Sequence, residues 1–330
     1  MSTTTTGAGG VAAVAPVTRR VRAYFAPVNR SAGVPTMFDA AQFGRFALNA
    51  PPTPWVDLGW VSGFVRKCGT KIEALRTGAP AMTVGQVRTE VEATVSLAFE
   101  SWGRLQGTLA SGSQQTNLLT TVAGAALNGS GGVAAAAVPL VAEPASTAIS
   151  LNVGAAAAAG FSVGSLVAVD VDYTGQLGYV GAGVSSAYVQ SASAVNGDGN
   201  YVRRVTLNVG VVVAIANGVL ELASALPAGI PTAGMQVSKL VGFCDREGAS
   251  FFQEWSALFV MQGEQGDRVL YHYPRLQAMQ GSAESEEALI APLEKIRLSG
   301  EFRALPIKDA NDGETVLCFR SYLPAALRGV

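Results

Sequence analysis

The 330-residue chain has one histidine, three cysteines and few charges, and each shortage removes a class of function. With His272 alone and Cys68, Cys244 and Cys318 far apart, no C-x2-C or H-x3-H pair exists to hold zinc. An odd number of scattered cysteines gives no disulfide framework and points to a reducing compartment. Charged residues are 14% of the chain and nearly cancel, 23 basic against 24 acidic. That balance lacks the cationic footprint by which proteins grip nucleic acid or anionic lipid. No apolar run reaches the 18 residues or so that a membrane-spanning helix needs. The longest uncharged stretch, residues 105–142, is broken by Gly, Ser, Asn and Gln. Near the N-terminus Arg19 and Arg20 follow the apolar stretch instead of preceding it, so the pattern is not a secretory signal and a non-exported chain is expected. Nucleotide-binding signatures are missing too, since Gly181-x-Gly183 has neither the G-x-G-x-x-G spacing nor a following helix. In "DVDYTG", 170–175, the remaining ligands of a calcium loop are out of register.

What is present is mostly β signal. Residues 112–240 hold only eight charges, which sets this middle apart from both ends. In "QVRTEVEATVSLAFE", 86–100, Val87, Val91, Ala93, Val95, Leu97 and Phe99 alternate with Arg88, Glu90, Glu92, Thr94, Ser96 and Glu100. Such a period of two predicts a strand with one buried face. Shorter strands are expected over 55–69 and 71–75, with a Gly/Pro-punctuated loop at 76–85. Residues 101–111 read as a short amphipathic helix, with Ser101 placed to cap it, Trp102, Leu105 and Leu109 on one face, and Gly112 at its end. In the middle, 165–173, 201–209 and 211–223 are rich in β-branched residues, and Asn217-Gly218 marks a tight hairpin. Arg203 and Arg204, adjacent in one of these strands, would point to opposite faces and form no basic patch.

The charged, aromatic style returns after Val241. Segments 251–262 and 267–273 form a hairpin by composition, and 294–306 alternates Ile296, Leu298, Phe302 and Ala304 with Lys295, Arg297, Ser299, Glu301 and Arg303. A last strand is expected over 314–323. The rings of Phe251, Phe252, Trp255, Phe259, Tyr271 and Tyr273 crowd around His272, which invites an active-site reading. On a strand, however, neighbours at i±1 face the other way, and no nucleophile adjoins this histidine. Cross-strand aromatic pairs in a sheet core account for the block, with Trp102, Trp255, Phe259 and Phe302 as its expected core aromatics.

The order of these pieces resembles the major tail tube proteins of tailed bacteriophages. The resemblance rests on "EALRTGAP" (73–80) running into the acidic strand 86–100, the helix with Trp102, and "LYHYPRLQ" followed by a strand ending "FRALP". It spans about 55–112 and 241–325. It implies a mainly β fold of two packed antiparallel sheets and one short helix, six copies to a ring, and rings stacked into a conduit for DNA. Each subunit of such a tube lends four strands to a shared inner barrel. Twenty-four strands about 4.8 Å apart and tilted about 45° close on a diameter of roughly 50 Å, wider than a duplex of about 20 Å. By the same resemblance the loop 70–85, with Arg76, Thr77, Gly78 and Pro80, reaches the next ring, and Arg88, Glu90 and Glu92 are candidates to face the lumen. The alternative lining is the face of strand 294–304 with Lys295, Arg297 and Arg303. The implied partners are further copies of the chain, tail terminator and baseplate or tip proteins, and a tape measure protein and passing DNA in the lumen without specific binding. A surrounding sheath is a further possible partner; no membrane insertion and no cofactor are expected, and the place would be the virion tail, assembled in the host cytoplasm.

The domain organisation that follows is an N-terminal arm and inter-subunit element over 1–54, a tail-tube β domain in two parts over 55–132 and 241–330, and an inserted β barrel or sandwich over 133–240. A bulky insert fits only on the outside of a tube, which leans toward a non-contractile tail. Three other functions remain open to the sequence. A tube of a DNA-free injection particle shares the fold, a surface adhesin or carbohydrate-binding protein fits the Thr-rich start and small-residue middle, and an enzyme would need His272 to find an acidic or thiol partner in space.

Overall fold

The computed structural model describes residues 18–28, 34–124, 135–142, 144–169, 203–204, 206–246, 254–263, 266–279, 283–290 and 293–325. The expectations at 170–175, Gly181-x-Gly183, Phe251 and Phe252 lie outside the described residues. The chain is mainly β, with several antiparallel sheets and few helices. In order come β1 (Thr18–Pro27), α1 (Ala40–Phe43), β2 (Val56–Thr77), β3 (Met82–Phe99), α2 (Arg104–Ser111), β4 (Gln114–Leu119), β5 (Val138–Pro139), β6 (Ser150–Asn152), α3 (Ala155–Ala158) and β7 (Leu166–Val169). Then follow β8 (Val209–Ala216), β9 (Val219–Leu222), β10 (Gln236–Arg246), β11 (Glu254–Gly263), β12 (Arg268–Ala278), β13 (Ala283–Ile290), β14 (Leu293–Ala304), β15 (Ile307–Lys308), β16 (Thr315–Val316) and β17 (Phe319–Leu323).

The first sheet has eight strands in the order β13–β14–β3–β2–β1–β11–β12–β17. It also closes on itself. One edge of β12 pairs with β11, while the other is shared between β17, at Arg268–His272, and β14, where Leu276 meets Ala304. Thus β14, β3, β2, β1, β11 and β12 form a complete antiparallel circuit. A barrel this small fills with side chains. Alternation along each strand sends Val21, Ala23 and Phe25, Val95, Leu97 and Phe99, and Trp255, Ala257 and Phe259 into one core. Contacts across the barrel follow, with the Phe25 and Phe302 rings 5.8 Å apart and those of Phe64 and Phe259 4.9 Å apart. In place of two separate packed sheets, a single curled sheet supplies both opposing layers. Curling at β2 uses Gly59 and Gly63, whose positive φ of 83° and 59° accompanies breaks in register with β1 and β3.

Helix α2 plugs the barrel with Leu105 and Leu109, and ends at Gly112 in the left-handed conformation expected there. Its N-cap is Gly103, not Ser101, whose hydroxyl instead donates to the Leu58 carbonyl at 3.2 Å. The expected strands 55–69 and 71–75 are one strand, β2, because the hairpin with β3 runs unbroken past Gly69. Ten residues of the expected N-terminal arm also belong to the barrel, since β1 sits between β2 and β11. The stretch after it lies over the outer face of β1, β11 and β12, where Phe38, Phe46 and Leu48 pack on Tyr24, Trp55, Leu258, Val260 and Leu270.

A second sheet, β4–β10–β7–β8–β9–β6, comes from the chain between α2 and β11. It curls as well, because β5 pairs with β10 while nearby Val141 bridges to Asn152 of β6. Leu151, Val167, Val169, Val212, Leu220 and Val237 fill its interior, and Asn217-Gly218 forms the predicted β8–β9 turn with φ of 51° and 81°. Strand pairing in this sheet begins at β4 and ends within β10, so it takes in more chain than 133–240. Arg203 and Arg204 lie outside any strand, contrary to the reading of 201–209, and a carbonyl tie from Arg203 to Asn117 Nδ2 at 2.9 Å helps hold that segment to β4. The end of the chain also splits, into β16 and β17, where one strand over 314–323 was expected.

Candidate assembly surface

Strands β2 and β3 outrun the barrel. Up to Arg66 and Ala93 they are part of its wall, and beyond those residues they continue as a two-stranded ribbon to a turn at Gly78–Ala81. Eleven more residues of β2 carry the ribbon about 36 Å outward. Almost every residue along it is exposed, which is unusual for an arm of this length, since isolated hairpins are marginal in water. Among the described residues nothing pairs with its edges, the arrangement that invites pairing with another chain.

Register assigns the two faces, because residues directly opposite share one. Lys67 with Thr94, Gly69 with Glu92 and Lys71 with Glu90 make a charged face near the barrel. A break in register between Lys71 and Ile72 then leaves Thr89 unpaired and reverses the alternation of β3. Farther out on that same face, Val87 lies opposite Glu73, Leu75 opposite Gly85 and Met82 opposite Thr77, so the face turns apolar toward the tip. Leu75 is 51% exposed and Met82 68%. The opposite face carries Cys68, Thr70, Ile72, Arg88 and Arg76.

The expected site residues are divided by this geometry. Glu90 and Glu92 share a face with Lys67 and Lys71, whereas Arg88 stands on the other side of the ribbon, opposite Ile72. The alternation read over 86–100 therefore holds from Glu90 onward but not across the bulge. A buried face exists only from Ala93 to Phe99, and Val87 and Val91 are exposed. Arg76, Thr77, Gly78 and Pro80 form the tip of the ribbon, not a long loop. Trp255, Phe259 and Phe302 are core aromatics as expected. Trp102 is not, since it precedes α2 and is 57% exposed, with its ring 5.7 Å from Phe243 of the second sheet.

Glu90 and Glu92 of one candidate lining share a surface with Arg303 of the other. β14 pairs with β3, so Glu301 and Arg303 face outward beside Ser96 and Thr94, and Arg303 Nη2 meets Glu92 Oε1 at 2.8 Å. The outer face of β2, β3 and β14 carries exposed charges of both signs among the described residues, while that of β11 and β12 is covered. At the junction of barrel and ribbon, Arg66 crosses the barrel to donate from Nε to the Tyr273 hydroxyl at 2.6 Å, with its guanidinium 4.4 Å from the Tyr271 ring centre. Burial pushes both the Tyr273 hydroxyl and the Cys318 thiol beside it up in pKa.

His272 lies on the covered side, 4% exposed, among the rings of Trp55, Phe38 and Phe319. Its Nε2 donates to the Thr36 carbonyl at 3.3 Å, and burial lowers its pKa to about 4. A cavity of about 820 Å³ adjoins it, lined largely by apolar side chains including Met37, Phe38, Ile307 and Phe319. Among the described residues no cluster of three or more His, Cys, Asp or Glu could hold a metal ion, and no helix is long and apolar enough to cross a membrane. No protein-family model matches the chain, and no curated protein matches it.

Proposed function

We propose that the chain is a structural, non-enzymatic subunit of a phage tail tube, assembling as stacked hexameric rings that conduct the genome at ejection. The observation that carries this reading is the β2–β3 ribbon, a long arm whose edges are open and whose apolar residues are exposed among the described residues. Burial of that surface needs another chain, and a second copy is always at hand. The wall β13–β14–β3–β2 supports the same reading, being four strands wide as the shared inner barrel of such a tube requires. Its exposed charges are mixed, with Lys67, Lys71, Arg297 and Arg303 against Glu90 and Glu92. A wall of that kind would let DNA pass without the phosphate grip of a cationic surface.

In this arrangement the second barrel is an insertion carried on the outer side of the tube, since inside the bore it would obstruct DNA. Terminator and tip proteins would close the two ends, and the location is the virion tail. No catalysis is assigned to His272, because an imidazole with a pKa of about 4 is a poor proton acceptor at neutral pH. A DNA-free injection particle would use the same surfaces. Negative-stain electron microscopy of the purified chain over a concentration series tests the proposal. Rings or tubes with an axial hole and sixfold averages are expected, and uniformly monomeric particles at high concentration would refute it.

A further inference from the structure

The covered side of the barrel holds a cavity for which assembly has no use. Three pieces of chain far apart in sequence enclose about 820 Å³, room for a drug-sized molecule. The strap 34–40 forms one wall, the β15–β16 hairpin another, and β12 with β17 the floor. On that floor His272 and Phe319 are directly opposite in register, and their rings stack 5.8 Å apart at 22°. Phe38 of the strap meets the same imidazole edge-on. Thr36 fastens the strap, its N–H donating to Ser256 Oγ at 3.0 Å and its carbonyl accepting from His272 Nε2. Ser256 donates in turn to the Pro274 carbonyl at 2.6 Å. The walls are thus built into the fold, as those of ligand sites are.

Charge and polarity narrow what can enter. In the walls Arg275 and Lys308 balance Asp39 and Asp309, and each is already engaged. Arg275 pairs with Glu254, and Lys308 Nζ donates to Thr315 Oγ1 at 2.9 Å. Asp39 accepts from the Ala41 and Gln42 amides, and Asp309 from Asn311. These side chains leave no surplus charge to hold an ion. His272 differs from them. A carbonyl only accepts, so Nε2 carries the proton in its bond to Thr36, and in an imidazole neutral above a pKa of about 4 that makes Nδ1 a bare acceptor. Among the described residues no donor meets Nδ1. A buried acceptor left unpaired favours any molecule that brings it a donor.

We infer that this cavity binds a neutral small molecule with a flat aromatic body and one hydrogen-bond donor, the body lying among Met37, Phe38 and Phe319 and the donor reaching His272 Nδ1. Ring faces and edges on the floor suit an aromatic body, which stacks on them or meets them edge-on. The single open acceptor then fixes its orientation. This inference does not rest on the tube reading.

Saturation-transfer difference NMR on the full chain at pH 7 tests it with indole and 1-methylindole, which share an aromatic body but differ in the N–H. Indole should bind about fivefold more tightly, the worth of one net hydrogen bond. Equal affinities, or no binding of either, overturn the inference. In His272→Phe, which keeps a ring and removes the acceptor, the advantage of indole should vanish. If it persists, the donor's partner lies elsewhere and the inference falls. Should that variant not fold, Met37→Asp alters a half-exposed wall residue instead, and both probes should then weaken by about fivefold as apolar contact is lost. Unchanged binding in that variant also overturns the inference. Rings or monomers under the microscope bear on the tube reading alone, so the two can fail separately.

Discussion

The β2–β3 hairpin is two structures built from one pair of strands. Its barrel half turns Val61, Ala93, Val95, Leu97 and Phe99 into a core, while its ribbon half exposes Ile72, Leu75, Met82, Val84, Val87 and Val91. Both halves carry alternating aliphatic residues and the backbone pairing is continuous apart from bulges, although the ribbon half has seven charges and no aromatic ring where the barrel half has two charges and three rings. The company on either side differs as well. β1 and β14 flank the barrel half, and α2 with the opposite wall covers its inner face, but among the described residues no strand flanks the ribbon half. Apolar residues on a strand thus reveal that something must cover them, not that the same subunit does.

Substitutions should separate the halves. The largest effect is expected in the barrel, where Trp255→Ala or Phe259→Ala should cost about 3–5 kcal/mol by urea unfolding, as truncation of buried aromatics does. Equal losses from Leu75→Ala or Met82→Ala in the isolated subunit would break the comparison, because these exposed sites should stay within about 0.5 kcal/mol.

Acid should act through the covered wall next. His272 has a folded pKa near 4, below the ordinary value of 6.5, so between those values the unfolded chain binds the extra proton. Stability should be full above pH 6.5 and fall as pH drops toward 4, by an amount approaching roughly 3 kcal/mol. Unfolding midpoints over pH 7 to 4 measure this slope, and His272→Gln should flatten it. A slope unchanged in that variant would place the acid sensitivity elsewhere.

Arg66 marks the boundary between the halves. Arg66→Met should leave the Tyr273 hydroxyl without its donor and cost about 1–3 kcal/mol, also loosening the base of the ribbon, which amide hydrogen exchange across Lys67–Lys71 would report. The smallest effect belongs to the exposed Arg303–Glu92 pair. Arg303→Gln should change stability by no more than about 1 kcal/mol, and less in high salt. A larger loss in the assembled form alone would show that assembly buries the pair.

Much of the fold was legible in the sequence. The alternation of Val95, Leu97 and Phe99 and that of Leu298, Phe302 and Ala304 marked buried faces correctly, because a period of two is a local property of strands. Gly112 and Asn217-Gly218 were equally readable, since few residues tolerate positive φ. Trp102 was misread because it sits in helical spacing with Leu105 and Leu109, yet the helix starts only at Arg104. The candidate set Arg88, Glu90 and Glu92 divided for another reason. One unpaired residue at Thr89 reverses a strand's faces, and no composition signal announced it. The cover over the outer face of β1, β11 and β12 by Phe38, Phe46 and neighbouring residues was also missed, for 34–50 has little periodicity of its own and takes its place only against the finished sheet.

By itself, then, the sequence determined the strand-rich class, several turns and the residues that must avoid water, because these depend on side chains a few positions apart. Tertiary structure alone decided that β12 closes the sheet through β14, that Glu92 on β3 and Arg303 on β14 share one wall, and that half a hairpin has no flanking strand among the described residues. Those outcomes depend on pairings between segments far apart in the chain. Sheet edges, unlike turns, carry hydrogen-bonding groups that every residue shares, so their partners are chosen by the packing of the whole barrel.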